Sequence, residues 1–154
     1  MKEVSQAKKG GDGTDLTSVL VNAELDDDHL DHADLASFFV LLVVAGNETT
    51  RNAISWGLKY LTDWPDQRAI WAADYEKRSP AAVEEIVRLS SPVTYMRRTV
   101  VEDTVLNGRK LFEGDKLAMY YLAANRDPAV FDDPFRFDVR RTPNPHCGLG
   151  GPGP

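Results

Sequence analysis

The sequence has few of the features that mark secreted, nucleic-acid-binding or membrane proteins. Cys147 is its single cysteine, which excludes an internal disulfide framework and a multi-cysteine zinc site and suits a reducing compartment. With 18 basic and 24 acidic residues, a net charge of −6 and no Lys/Arg run, we expect no nucleic-acid partner. The apolar run 38–46 is shorter than the ~20 residues of a membrane span, and the polar residues 1–13 do not resemble a secretory signal. We therefore predict a cytoplasmic protein without a membrane span, in which the apolar run is buried.

The remaining composition is that of a globular protein. The 154 residues are 42% hydrophobic and 27% charged, which suits one domain or a piece of a larger one. Apolar spacing predicts helices first, then strands, then proline-rich loops, so the fold class is mainly α with a small β portion (α+β). The predicted segments are a flexible leader over 1–14 and a domain over 15–154, with a central helix over about 33–62, a helix over about 80–90, a β-hairpin region over about 94–122 and a loop-rich region over 123–154.

Cap and turn residues predict where these elements begin and end. The acidic stretch 26–28 offers N-caps for a helix that starts near Asp28 or His32. Pro65 suits the first turn of an exposed helix over 66–77, and Pro80 suits the start of the next helix. Asn107-Gly108 predicts a tight hairpin turn.

Residues 45–50, with the sequence AGNETT, place an acid and two hydroxyls within the central helix. Burying such groups is costly unless they find partners, and Gly46 removes a side chain where another group could approach. This pattern suits a groove that delivers protons. A helix that ends at Gly46 and restarts at an Asn47 cap explains the same residues about equally well.

Two further patterns involve arginine. Glu85 and Arg88 stand at i, i+3 and can pair on one helix face, although surface pairs of this kind are common. Arg97 and Arg98 lie in a predicted strand, so one of them points inward and requires an anion. An edge strand with both arginines in solvent is the alternative.

Three other patterns are weaker. The residues 26–32 mix aspartate and histidine, and an acidic capping stretch explains them better than a metal site does. The stretch 148–153 matches G-x-G-x-x-G but lacks the strand and helix that a dinucleotide-binding site needs. Cys147 beside His146 lacks the third group that would orient a nucleophile.

Taken in order, the motifs resemble the cytochrome P450 family of bacterial haem-thiolate monooxygenases. The sequences of residues 97–99 and 144–148 are most similar to those of the actinobacterial branch that acts on sterols and long fatty-acyl chains. The resemblance implies a partial cytochrome P450 fold, from the end of the helix before the long central helix to the start of the haem-binding loop. The motifs that carry it are AGNETT at 45–50, Glu85-x-x-Arg88, Arg98, ANRDP at 124–128, FDDPFRF at 131–137, and Pro145-His146 through Gly153.

The resemblance also implies roles for individual residues. Glu48 and Thr49 match the catalytic acid-alcohol pair that relays protons to dioxygen, and Ala45 and Gly46 match the groove beside the haem. The expected propionate ligands are Arg98 and His146, and the expected structural ion network is Glu85, Arg88 and Arg136.

The implied cofactor is haem b with its iron, and the implied partners are a lipophilic substrate and a ferredoxin-type electron donor. In the family the iron-ligating cysteine follows the Gly-rich loop, so it is due after Pro154, and Cys147 does not match it. No metal ligand is therefore assigned. We expect the chain as written not to perform monooxygenation or to hold haem normally, and a non-catalytic relic or interaction module without haem chemistry is the alternative.

Overall fold

The protein is described by a computed structural model over residues 7, 9–11, 13–25 and 28–148. It divides into two units, Met1–Asn47 and Glu48–Pro154, which are taken separately. Most of the predicted leader, the acidic residues 26 and 27, and the Gly-rich stretch from 149 onward lie outside the described residues. The elements in chain order are α1 (Leu16–Val21), β1 (Glu24–Leu25), β2 (Asp28–His29), α2 (His32–Asp63), α3 (Pro65–Ala73), α4 (Tyr75–Ser90), β3 (Met96–Thr99), β4 (Thr104–Leu106), β5 (Arg109–Leu111), β6 (Lys116–Met119) and α5 (Tyr121–Ala124).

Aspartate side chains cap the N-termini of α1 and α2. The Asp15 carboxylate accepts from the backbone N–H groups of Thr17 and Ser18, at 3.1 and 3.2 Å, and so caps α1. The Asp31 carboxylate accepts from the N–H groups of Ala33 and Asp34, at 2.7 and 2.8 Å, and so caps α2. These two hydrogen bonds hold the pKa of Asp31 below its ordinary value. The cap of the central helix is thus Asp31, and Asp28 instead lies in the short β1–β2 hairpin.

Helix α2 is continuous through the AGNETT motif, so the alternative of two helices separated at Gly46 is wrong. Its apolar stretch is not buried among the described residues, contrary to the sequence-based expectation. Val40, Leu41, Val43 and Val44 are each between 62% and 65% exposed. By length and composition α2 could cross a membrane, although a core helix of a soluble protein passes the same test.

In the second unit, α2 lies close to α4 at Gly57. A Cβ built on Gly57 would lie 3.0 Å from Cδ1 of Ile86, so glycine permits this approach. Aromatic rings continue the packing: Tyr60 and Trp64 both contact Phe137, with ring centroids 5.4 and 6.0 Å apart. The buried core cluster consists of Tyr60, Ala82, Leu89, Phe137 and Val139.

The helices after α2 differ from the expected ones. Asp74, with φ −150° and ψ 59°, ends α3, so the expected single helix over 66–77 is wrong. The next helix begins at Tyr75 instead of near Pro80. Pro80 lies inside α4 at an exposed position, and Ser91 ends that helix in the left-handed region, with φ 40°.

Among the residues that the structure describes, the small β portion consists of three two-stranded sheets. In the second unit, β3 pairs with β6 and β4 pairs with β5, both antiparallel. Asn107 and Gly108 join β4 to β5 with φ values of 48° and 76°, which is the turn that their sequence predicts. Together with the helices, these sheets confirm the mainly α fold class with a small β portion.

Candidate functional site

The Glu85 carboxylate on α4 is one of the fully buried polar groups of the second unit. Both Glu85 and Arg88 are fully buried, and Arg88 forms a two-pronged pair with Glu85: Nε donates to Oε2 at 2.7 Å and Nη2 to Oε1 at 2.9 Å. The Arg88 guanidinium also stacks over the Phe131 ring, 5.1 Å from its centroid. The pair is therefore a buried element of the fold and not a surface helix pair.

The second arginine on Glu85 is Arg141, and the expectation of Arg136 in this place is wrong. Arg141 Nε donates to both carboxylate oxygens of Glu85, at 3.1 and 3.0 Å, and its side chain is 11% exposed. Arg136 is exposed and contributes its backbone carbonyl, which accepts from Arg88 and Arg141, each at 3.1 Å. The side chain of Arg136 points away because its neighbour Phe137 takes the buried position in the core.

The network also fixes the loop region that follows α5. The N–H of Asp138 and the side-chain amide of Asn144 donate to Glu85, at 3.1 and 3.2 Å. Arg88 Nη1 donates to the carbonyls of Asn125 and Pro134, at 2.7 and 2.8 Å. Residues 125–144 are thus held against α4 by a single buried carboxylate and its arginines.

Asn125 connects this network to the last described residues by hydrogen bonds. Its side-chain amide donates to Ser91 Oγ at 2.9 Å, and its side-chain oxygen accepts from the N–H of Cys147 at 2.7 Å. Asn125 is fully buried. The backbone at Cys147, just before the Gly-rich stretch, is therefore fixed by an amide in the interior.

The two expected anion-binding residues have different surroundings. Arg98 lies on β3, exposed, and its Nη1 donates to the carbonyl of its neighbour Arg97 at 3.2 Å. The ring of His146 is 6% exposed, and its Nε2 lies 2.6 Å from Oε2 of Glu84. The structure does not bring Arg98 and His146 together through any contact among the described residues.

The expected proton-relay residues occupy different environments on α2. Glu48 pairs with Arg51 at i, i+3, and both side chains are 61% exposed. Thr49 instead lines an open apolar cavity of about 490 Å³ between α2, α3 and α4. Thr50 lines the same cavity, whereas the exposed Glu48 carboxylate is held by Arg51.

Ala45 and Gly46, in the first unit, lie on an exposed part of α2. A Cβ built on Gly46 meets no heavy atom of the described residues within 4 Å. Packing among the described residues therefore gives no reason for glycine at this position.

A second cavity, of about 450 Å³, lies beside the core and is lined by aromatic residues and Arg126. Burial raises the pKa of Tyr60, which lines this cavity. Burial also lowers the pKa of Arg126, whose Nη2 donates to the carbonyl of Leu89. Arg126 belongs to the ANRDP motif, and its Nη1 donates to the carbonyl of Leu122 in α5 at 3.2 Å. Its side chain therefore links α5 to the end of α4.

Sequence reasoning missed Glu84, Asn125 and Arg141 as parts of this site. Arg141 lies 56 positions from Glu85, and no local pattern in the sequence distinguishes it from Arg136 as the arginine that points inward. Asn125 lies within ANRDP, but no local pattern shows that its amide is buried. Groups of three or more metal-binding side chains were not found among residues 7, 9–11, 13–25 and 28–148.

Comparisons with known proteins found similar sequences and structures. The cytochrome P450 family model matches residues 79–144. The methyl-branched lipid omega-hydroxylase of Mycobacterium tuberculosis is 55% identical over 139 residues, which are 90% of this chain and 32% of that protein. The steroid C26-monooxygenase of Rhodococcus jostii is 38% identical over 151 residues, which are 98% of this chain and 31% of that protein.

Solved structures agree. A cytochrome P450 of Mycobacterium marinum in complex with pseudoionone has a TM-score of 0.90 and 49% identity, over 99% of this chain and 37% of that one. A cytochrome P450 of Bacillus megaterium in complex with testosterone has a TM-score of 0.90 and 33% identity, over 98% of this chain and 41% of that one. The chain thus spans about a third of the length of the curated relatives that it matches.

Proposed function

This chain belongs to the cytochrome P450 family, and from that premise we propose that it forms part of a haem-dependent monooxygenase. The proposed substrate is lipophilic, of sterol or fatty-acyl type, since two similar proteins are named as a lipid hydroxylase and a steroid monooxygenase. The proposed electron donor is of ferredoxin type, and the proposed location is the cytoplasm. The observation that carries the proposal is the Glu85–Arg88–Arg141 network, because it holds the loop region in register with α4 just before the Gly-rich stretch.

The described residues fit haem in part. Haem carries anionic propionates, and Arg98 offers an exposed guanidinium, which is the donor that best suits a carboxylate. The open space above Gly46 fits a bulky group that approaches α2 closely. When bound, haem supplies the oxygen chemistry of the family, in which one atom of dioxygen enters a substrate C–H bond. Cys147 is not proposed as the iron ligand, since the family pattern places that cysteine after the Gly-rich loop.

In this proposal the residues of α2 handle protons. Thr49 is half-buried and lines the apolar cavity, and its hydroxyl is the proposed hydrogen-bond donor there. Glu48 is in solvent and is the group that exchanges protons with it. Because Arg51 pairs with Glu48, the carboxylate has to leave Arg51 before it can transfer a proton toward Thr49.

A graft tests the function. This chain replaces the matching third of the Mycobacterium tuberculosis methyl-branched lipid omega-hydroxylase, and the carbon monoxide difference spectrum and hydroxylated product are measured. We expect a thiolate-type spectrum and product. Thr49→Ala should keep the spectrum but lower product formation by about 10² or more, the usual size of a proton-transfer contribution. Thr50→Ala, which also alters the cavity wall, is the matched control and should change the rate little.

The graft also tests the role of Arg98. Arg98→Gln should weaken haem retention, whereas Arg97→Gln, on the opposite face of the same strand, should not. Equal effects of both substitutions, or a graft that folds without binding haem, would contradict the proposed function.

The exposed apolar face of α2 favours one other function, an interaction module without haem chemistry. Val40, Leu41, Val43 and Val44 are each 62–65% exposed, and contiguous exposed apolar side chains are a feature of binding interfaces. Such a module should unfold in a cooperative thermal transition. Aggregation of the chain before any transition would argue against it.

A further inference from the structure

We propose that Glu84 and His146 act as a positioning pair that fixes the chain at Cys147 and Gly148, and that His146 is not a propionate ligand. The proposal deepens the proposed function, on which it rests for the view that the stretch after Gly148 belongs to a haem site. The hydrogen bonds of the imidazole and the close approach of Gly148 to α4 are the two observations behind it.

Both ring nitrogens of His146 are already used. The N–H of Gly148 donates to Nδ1 at 3.0 Å, so Nδ1 is an acceptor and carries no proton. In a neutral imidazole the proton is then on Nε2, which lies 2.6 Å from Oε2 of Glu84 and donates to it. No nitrogen is left for a carboxylate of another molecule.

Charge also disfavours a second anion at this place. The Glu84 carboxylate lies within hydrogen-bond distance of Nε2, and two carboxylates that share one donor repel each other. The ring itself is 6% exposed, so a propionate would have to displace Glu84 and enter a covered position. Arg98, exposed and without a carboxylate partner among the described residues, is the better anion ligand.

The backbone after His146 approaches α4 on the same face as Glu84. A Cβ built on Gly148 would lie 2.6 Å from Cγ1 of Val87 and 3.2 Å from its carbonyl oxygen. Glu84 and Val87 stand at i, i+3 and share one face of α4. The hydrogen bond to Glu84 therefore pulls His146 toward the same face that Gly148 contacts.

Each residue of this segment is held by a different partner. His146 is bound through its side chain to Glu84, Cys147 through its N–H to Asn125, and Gly148 through its N–H to His146. Loss of Glu84 releases the imidazole and with it the acceptor of the Gly148 N–H. The two residues therefore act on the backbone path and not on a ligand.

Two substitutions of His146 separate its two hydrogen bonds. The amide of Asn lies where Nδ1 lies, so His146→Asn keeps an acceptor for Gly148 but cannot reach Glu84. The amide of Gln extends to where Nε2 lies, so His146→Gln keeps a donor to Glu84 but leaves the Gly148 N–H without its acceptor. Glu84→Ala removes the partner, and Glu84→Gln keeps a neutral acceptor.

The first experiment uses nuclear magnetic resonance on the ¹⁵N-labelled chain, whose three histidines give separable ring signals. We expect the Nε2–H tautomer for His146 and slow hydrogen exchange at the Gly148 amide. Glu84→Ala should speed that exchange by about tenfold, the loss of one charge-assisted hydrogen bond, and Glu84→Gln by less. Glu76→Ala, at an exposed site on the same helix, is the control. An Nδ1–H tautomer, or equal exchange in the Glu84→Ala and Glu76→Ala variants, overturns the proposal.

The second experiment measures whether each substitution raises or lowers the affinity for hemin. It separates this proposal from the proposed function. Hemin is titrated into the graft described above, and its affinity is compared among Glu84→Ala, His146→Gln and the unsubstituted graft. A positioning pair predicts that both substitutions lower the affinity or leave it unchanged together. If His146 were a propionate ligand that Glu84 occupies, Glu84→Ala would raise the affinity and His146→Gln would lower it, and that result overturns the proposal. Absence of hemin binding in the unsubstituted graft contradicts the proposed function instead, while the resonance experiment, which contains no haem, still decides on the pair.

Discussion

Substitution of Arg141 tests the arrangement of charges around Glu85 most directly. Glu85 is fully buried and accepts from Arg88 and from Arg141. Removal of one partner from a buried ion pair costs about 3–5 kcal/mol, since a charge is left without full compensation. Because Arg88 stays in place, we expect Arg141→Met to cost about 3 kcal/mol, at the lower end of that range.

Arg136 provides the matched control. Its side chain is exposed, and the carbonyl that it contributes to Arg88 and Arg141 remains in any variant. Arg136→Met should therefore change the free energy of unfolding by less than about 0.5 kcal/mol. Arg141→Lys, which keeps the charge but cannot donate from a planar fork, should lie between the two.

Urea unfolding followed by tryptophan fluorescence measures these changes. Trp64 packs against Phe137, so it reports on whether the loop region is attached to the core. With a slope of about 2 kcal/mol per M, the loss in Arg141→Met lowers the midpoint by about 1.5 M. If that variant shows no folded baseline, Arg141→Lys carries the comparison. A midpoint that falls as far in Arg136→Met as in the Arg141 variants would refute this account of the network.

Two further predictions concern glycine packing and pH. Gly46→Ala should raise the free energy of unfolding by about 0.5–1 kcal/mol, since alanine is favoured inside helices and the described residues leave room for its Cβ. Gly57→Val should lower it by about 1–3 kcal/mol, because even a Cβ would lie 3.0 Å from Ile86; a shift in the same direction for both variants would contradict this. For Asp138, burial acts to raise the pKa, but hydrogen bonds from Arg140 and the charges of Arg140 and Arg141 outweigh it, and the pKa lies below its ordinary 3.8. The contribution of Asp138 to stability is complete above pH 3.8 and is lost as the pH falls through the lower, folded-state pKa. Asp138→Asn should therefore reduce the loss of stability at acid pH, whereas Asp132→Asn, at an exposed site, should not. Urea midpoints at several pH values measure this loss.

Local signals in the sequence predicted much of the fold. The Asn107-Gly108 turn, the break before Pro65 and the i, i+3 spacing of Glu85 and Arg88 each depend on residues close in the chain, so their structural consequence could be read directly. Helix ends were less accurate. Pro80 suggested a helix start, but the non-helical backbone at Asp74 precedes α4, which begins at Tyr75 and contains Pro80.

The features that the sequence did not predict depend on contacts between residues far apart in the chain. Arg141 is 56 positions from Glu85, and no spacing rule distinguishes it from Arg136, which the family resemblance favoured. The partner of His146 is likewise 62 positions away. The burial of residues 38–46 was expected from their apolarity, but these side chains are exposed among the described residues. Hydrophobicity alone does not identify the residues that pack against an apolar segment.

The partners of Glu85 lie far from it in the sequence, and this affects when its hydrogen bonds form during synthesis on the ribosome. Glu85 emerges 53 residues before Asp138, 56 before Arg141 and 59 before Asn144. At about 5–20 residues per second, α4 exists for roughly 3–11 seconds before Arg141 is synthesised. Arg88 follows Glu85 by three residues and can pair with it at once. The nascent helix can therefore keep its carboxylate neutralised by Arg88 while it stays near water, and it enters the interior when the later partners arrive.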